Sequence, residues 1–306
     1  MHSVFRLATL LLCLSPLLGL PAEAVARQPN ILFIAVDDLR PQLGCYGVKS
    51  MQTPNIDRLA QGGIWFDRAA AIFPQSGPSL ASVLGGTYPE PHAAAPALAD
   101  SPMGRAMAQA GYALVEVPPG VDLTATARAG AEAIRAASDT PRLLVVRLPV
   151  IDGETDDLPP EALAPYRGNG VPLAMHFAAV TALDMAVGTL LAALEGSAQA
   201  DRAAVIYASV VGDQLKFRDA ANRTNTCYDD CIRVPLILRL PGGPEGMRRE
   251  ELVGLHDLAP TICALGGTDL PGGQGASVLP LLKGAPWRRS LYLHNRHLRH
   301  IAVSFV

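Results

Sequence analysis

The residues best placed to do chemistry near the start of the chain are Asp37 and Asp38, which follow directly on the continuous apolar run Asn30 to Val36 (NILFIAV). Such a run is the signature of a strand buried on both faces of a parallel sheet. Two adjacent carboxylates at its end disfavour each other's ionisation, and a bound cation would relieve that cost. The alternative is a pair of solvated carboxylates in a turn. Cys227 and Cys231 have the i,i+4 spacing of a helical pair, with Asp229 and Asp230 between them. Few other ligands lie nearby, so the pattern reads as structural rather than as a zinc centre. The acidic loop holding Asp152, Glu154, Asp156 and Asp157 reads as solvated. His176 falls in a helical segment where an aromatic would pack, and His294, His297 and His300 lie in an exposed Arg-rich stretch.

The elements that must hold these residues alternate. Thr53-Pro54 opens a helix, with Thr53 as N-cap and Pro54 at its first position, and Gly62-Gly63 stops it. An extended segment restarts at Ile64 to Phe66. Gly77-Pro78-Ser79 then leads into a second helix closed by Gly85-Gly86. Leu143 to Leu148, Ala204 to Ala208 and Val234 to Leu240 are further apolar runs bounded by turns. Ala174 to Leu194 repeats apolar residues at helical spacing, with Val180, Leu183, Val187, Leu190, Leu191 and Leu194 on one face. Asp257 is expected to cap a last helix through Leu265, and Ile301 to Val306 reads as a strand. Strands alternating with helices predict an α/β layer fold on a mixed, largely parallel sheet with helices on both faces. In such sheets ligands bind at the carboxyl ends of the strands, which is where Asp37 and Asp38 fall.

The chain has 306 residues, 49% of them hydrophobic and 17% charged, which excludes a disordered or collagenous protein. A formal net charge of −3 gives no whole-chain reason to expect nucleic-acid binding. Arg6, the apolar stretch Leu7 to Leu20 and the small-x-small sequence Ala22-Glu23-Ala24 predict a signal peptide over residues 1–24. Ser15, Pro16 and Pro21 interrupt the apolar run, so cleavage rather than anchoring is expected. No later segment reads as a bilayer span. The expectation is an exported protein, periplasmic or secreted, with one domain over residues 25–306.

Three stretches together resemble the sulfatases of the alkaline-phosphatase superfamily, within them the iduronate-2-sulfatase-like branch. The first is Pro29 to Gly47 (PNILFIAVDDLRPQLGCYG) with Thr53 to Ala60 (TPNIDRLA). The second is Phe66 to Glu90, ending SGPSLASVLGGTYPE, and the third is Arg233 to Pro241 (RVPLILRLP) continuing into Asp257 to Leu265 (DLAPTICAL). The resemblance implies an alkaline-phosphatase-like sandwich and a sulfuric ester hydrolase. It further implies one divalent metal, usually calcium, held by carboxylates at the strand ends, and a cysteine or serine in a C/S-x-P-S-R motif that becomes formylglycine. The hydrate of that residue attacks sulfur while basic groups stabilise the developing charge. Carried onto this chain, Asp37 and Asp38 match the first metal ligands and Ser76 the formylglycine position.

The remaining carry-over is partial. Leu80 stands where the motif has arginine. After the strand Ala204 to Ala208 the family has Ser-Asp-His-Gly, whereas this chain reads Ser209-Val210-Val211-Gly212, leaving Asp213 as the substitute ligand. The lysine and histidine expected after Gly111-Tyr112, and the histidine after Leu148, are missing. The lysine before Arg233 is replaced by Arg223 or Thr224. The C-terminal subdomain of the branch is incomplete. These coordinated losses favour a catalytically impaired family member that binds a sulfated or anionic ligand, a small-molecule or carbohydrate sulfate ester, because catalytic groups act as a unit. The alternative is an active calcium-dependent sulfatase with Ser76 as formylglycine precursor. A weaker one is phosphoryl-ester hydrolysis by Ser76 itself, which lacks the metal ligands to activate a hydroxyl.

Overall fold

The structure, a computed structural model, describes residues 28–149, 158–168, 173–213, 215, 226–294 and 301–303. Seven strands build the central sheet: β1 (Asn30–Val36), β2 (Ile64–Ala70), β3 (Ala113–Val117), β4 (Arg142–Arg147), β5 (Ala203–Ser209), β6 (Leu236–Arg239) and β7 (Met247–Gly254). Their order is β3-β4-β1-β5-β6-β2-β7. All neighbours run parallel except at β6, which is antiparallel to both β5 and β2. The mixed, largely parallel α/β sheet expected from the alternating pattern is therefore present, with helices on both faces.

The period-2 alternation of β1 shows why the sheet is covered twice. Ile31, Phe33 and Ala35 enter one core, and Leu32, Ile34 and Val36 enter the other. The first core is closed by α2 (Ser76–Gly85), α3 (Pro102–Gln109) and α8 (Leu258–Leu265), through residues such as Val83, Met107 and Ile262. The second is closed by α1 (Pro54–Gln61), α4 (Leu123–Arg135) and α6 (Ala174–Glu195), through Leu59, Ile134 and Leu190. Each large apolar side chain taken from water in this way contributes about 1.5–3 kcal/mol. Short helices α5 (Pro160–Leu163), α7 (Asp229–Ile232) and α9 (Leu279–Leu282) lie in connections. A two-stranded antiparallel ribbon joins β8 (Leu291–Leu293) to β9 (Ile301–Val303).

Several local expectations need correction. The α6 helix is long and apolar enough to cross a membrane, contrary to the reading that no later segment is. Its apolar residues are nonetheless mostly buried inside the protein, because Val180, Leu183, Val187 and Leu191 pack in the second core. Thr53 precedes α1 but makes no side-chain cap. Its Oγ1 instead accepts from Gly44 N at 2.9 Å and donates to Asp57 at 3.1 Å. The amides at the start of α1 are taken by Asp184 of α6, whose carboxylate accepts from Asn55 N at 3.2 Å and Ile56 N at 2.8 Å. Asp257 likewise does not cap α8. It accepts from Gly254 N at 2.9 Å, Ala276 N at 2.8 Å and Arg288 Nη2 at 2.8 Å, tying three chain segments to one buried carboxylate. Cys227 precedes the single turn of α7 that holds Cys231, and no disulfide joins the two. The predicted signal peptide, the acidic loop from Asp152 to Asp157, His297, His300 and residues 304–306 lie outside the described residues.

Candidate functional site at the carboxyl edge of the sheet

Because β4, β1 and β5 are adjacent and parallel, their carboxyl ends open on one edge. A cavity of about 570 Å³ lies there. Its wall takes Asp37 from the end of β1, Arg147, Leu148 and Pro149 from the end of β4, and Val210 from the end of β5. The first turn of α2 supplies Ser76, Gly77 and Leu80. The chain thus delivers Ser76 to Asp37 because an apolar strand must end at the sheet edge and a helix begins opposite it.

Ser76 Oγ donates to Asp37 Oδ1 at 2.7 Å, and Asp38 N donates to the same oxygen at 3.1 Å. Burial pushes the Asp37 carboxyl above its ordinary range, while those two bonds and the positive charge of Arg147 pull it down. Asp38 adopts φ 52°, a left-handed conformation that aspartate tolerates better than most residues. Its side chain is not among those lining the cavity. Arg40, two residues on, forms a 2.9 Å ion pair with Asp230 and fastens this turn to α7.

Asp213 is fully buried, its Oδ1 accepts from Leu215 N at 2.7 Å, and it is absent from the cavity wall. In the register where the family carries an aspartate, Val210 faces the cavity. Leu80 also lines it and is almost wholly buried, at the position where arginine was expected. Arg223 lies outside the described residues. His176 is buried in α6, in the edge-on ring contact with Phe177 that core packing predicts.

A calcium ion takes about six to eight oxygen ligands. The cavity offers Asp37 and Ser76, and among the described residues no three His, Cys, Asp or Glu side chains gather so as to hold a metal. Among the described residues, then, a full set of calcium ligands is not gathered at the cavity.

The sequence reading passed over Arg147. It ends β4, lines the cavity beside Asp37, and pairs with Glu116 of β3 at 3.5 Å. The signal was available in the string RLLVVR, where a charged residue closes an apolar strand at the functional edge of the sheet. Glu116 in turn accepts from Leu98 N at 2.8 Å, so its carboxylate is held from two sides.

The comparisons with known proteins agree with this architecture. The solved structure of Ps i-CgsB in complex with k-i-k-neocarrahexaose superimposes with a TM-score of 0.73 at 21% identity, covering 87% of this chain and 79% of that one. The structure of BT4656 in complex with its substrate D-glucosamine-2-N,6-O-disulfate gives a TM-score of 0.69 at 20% identity, covering 88% and 84%. These likenesses establish the alkaline-phosphatase-like fold. Among curated relatives, the N-acetylglucosamine-6-O-sulfatase of Bacteroides thetaiotaomicron is 44% identical over 69 residues, 22% of this chain and 12% of that protein. The iduronate 2-sulfatase of Homo sapiens is 49% identical over 69 residues, again 22% and 12%. The matched stretch thus spans about an eighth of the length of these relatives. The model of the family described as Sulfatase matches far more of the chain, residues 29–118 and 134–268. That match extends over well more than half of the sequence and takes in β1 with Asp37, α2 with Ser76, and β4 with Arg147: the chain belongs to the sulfatase family.

Proposed function

We propose that this protein is an exported member of the family that binds a sulfate ester or a related anion in the cavity at the carboxyl edge of the sheet and turns it over poorly or not at all. Leu80 on the cavity wall carries the reading. An uncharged side chain with no donor occupies the place of the motif's arginine, so Ser76 lacks the partner that orients a formylglycine. Val210 on the same wall, where the family carries an aspartate, extends the argument to the metal side of the site. Binding needs less than catalysis: a concave, partly apolar pocket with a few convergent polar groups suffices.

The 2.7 Å bond from Ser76 to Asp37 favours the second reading, an active calcium-dependent sulfatase with Ser76 as formylglycine precursor. One experiment separates the two. Protein from a host that matures serine-type sulfatases is assayed on an aryl sulfate, with and without calcium, against Ser76→Ala. The expected result is no turnover above Ser76→Ala, and no shift in melting temperature on adding about 1 mM calcium. Turnover that Ser76→Ala abolishes would overturn the impaired reading. A calcium-dependent rise of several degrees would show that residues beyond Asp37 complete a metal site.

A further inference from the structure

Arg147 is the one basic side chain on the cavity wall among the described residues. Its side chain is 31% exposed, within reach of a ligand from solvent yet partly desolvated. A guanidinium presents five N–H donors in a rigid fork. Here its ion pair is with Glu116 Oε1, at the long distance of 3.5 Å. Glu116 is itself anchored through Oε2 by the amide of Leu98, so it aims the guanidinium while taking a hydrogen bond from Nη1 alone.

We propose that Arg147 is the anion anchor of this cavity, positioned by Glu116, and that it selects a singly charged anion carried on an apolar body. The inference rests on the reading of the cavity as an anion site and adds which residue holds the anion and which ligand class fits. Charge limits the class first. Arg147 supplies one positive charge against two carboxylates, Asp37 on the wall and Glu116 behind it. With so little positive charge to spare, a phosphate ester, dianionic near neutral pH, meets more repulsion from the two carboxylates than a monoanionic sulfate ester does. The wall limits it further. Beyond Asp37, Ser76 and Arg147 the side chains are apolar, among them Leu80, Ala95, Pro119, Leu148 and Val210. A sugar body loses hydrogen bonds to water there and recovers few, while an aryl or alkyl body gains by burial.

Isothermal titration of the full chain with phenyl sulfate, phenyl phosphate, glucosamine 6-sulfate and inorganic sulfate tests this, using wild type, Arg147→Gln, Arg147→Lys and Glu116→Gln. Phenyl sulfate is expected to bind the wild type about tenfold more tightly than either the phosphate or the sugar sulfate. Arg147→Gln should weaken phenyl sulfate by about tenfold or more, with Arg147→Lys between, because a point charge replaces the fork. Glu116→Gln removes one repelling charge and should narrow the preference for sulfate over phosphate. Circular dichroism confirms that each variant is folded. Tighter binding of the sugar sulfate, or undiminished phenyl sulfate binding in a folded Arg147→Gln, would overturn the assignment while leaving the anion site in place. Binding of none of the four by wild type would overturn both the assignment and the reading beneath it.

Discussion

Ser76 at the start of α2 donates a 2.7 Å hydrogen bond to Asp37 at the end of β1, joining a helix of one layer to an interior strand of the sheet. The bond favours the ionised form of a carboxyl that burial otherwise pushes toward its neutral form. Hydrogen bonds to charged groups contribute about 1.5–3 kcal/mol when buried, and Ser76 is only half-buried. Ser76→Ala is therefore expected to cost about 1 kcal/mol in urea unfolding, with an unchanged m-value. A loss this small keeps the variant folded and valid as the control for activity. A loss above about 3 kcal/mol would mean that the serine is a structural strut first.

Asp184 sets a pH dependence remote from the cavity. Burial pushes its carboxyl up to about 6, against the bonds from Ile56 and Asn55 that favour ionisation. A carboxyl whose pKa is raised on folding binds its proton more tightly in the folded state. Its contribution is fully present below the ordinary value near 4 and is lost as pH rises through about 6. Relative to Asp184→Asn, which does not titrate, the wild type should lose on the order of 2 kcal/mol between pH 4 and pH 7. Urea midpoints at a series of pH values check this. Parallel curves for the two proteins would mean that Asp184 is ionised throughout, held by the helix end it caps.

What could be read from the sequence follows from where side chains are dictated by burial. β1 and α6 were legible because their apolar residues meet the core from two faces or along one long face. β3 was not read as a strand: it is an edge strand, half-buried along its length, and Glu116 interrupts the apolar pattern. β7, the opposite edge, begins MRREE and hides only its last residues, so its charges look like a loop. Arg147 was missed because adjacency in sequence drew attention to Asp37 and Asp38, whereas the site is assembled across three strands and a helix end. Register between parallel strands, such as Ala35 opposite Arg147, is a tertiary fact that no single segment encodes.

Gly130 tests how closely α4 and α6 are packed. A Cβ built on it would lie 2.6 Å from Leu190 Cδ2 and 3.2 Å from both methyl carbons of Val146. Alanine gains about 1 kcal/mol of helix propensity over glycine in a helix interior. Overpacking a close-packed core costs about 1–3 kcal/mol, and here the methyl meets a neighbouring helix and a strand at once. Packing should win, so Gly130→Ala is expected to lower stability by about 1–2 kcal/mol. The double variant Gly130→Ala with Leu190→Val should recover part of that loss if Leu190 is the obstruction. Stabilisation by Gly130→Ala alone would show that the helix pair yields more readily than its contacts suggest.

Leu80→Arg asks whether the lost arginine is what keeps Ser76 a serine. The substitution restores the S-x-P-S-R spacing from Ser76 through Ser79, and its guanidinium would enter a wall that already holds the Asp37 carboxylate. Leu80 is 4% exposed, so the change removes apolar burial and buries a charge. Partial compensation by Asp37 limits the net cost to about 2–3 kcal/mol, within reach of a stable domain. Expressed in a host that matures serine-type sulfatases, the wild-type peptide containing Ser76 should retain its serine mass. The Leu80→Arg peptide should show a fraction lighter by two hydrogens, the mark of the aldehyde, and that fraction should vanish in Leu80→Arg with Ser76→Ala. Aldehyde in the wild type would instead mean that maturation tolerates leucine here, and the impaired reading would have to rest on the metal side of the site alone.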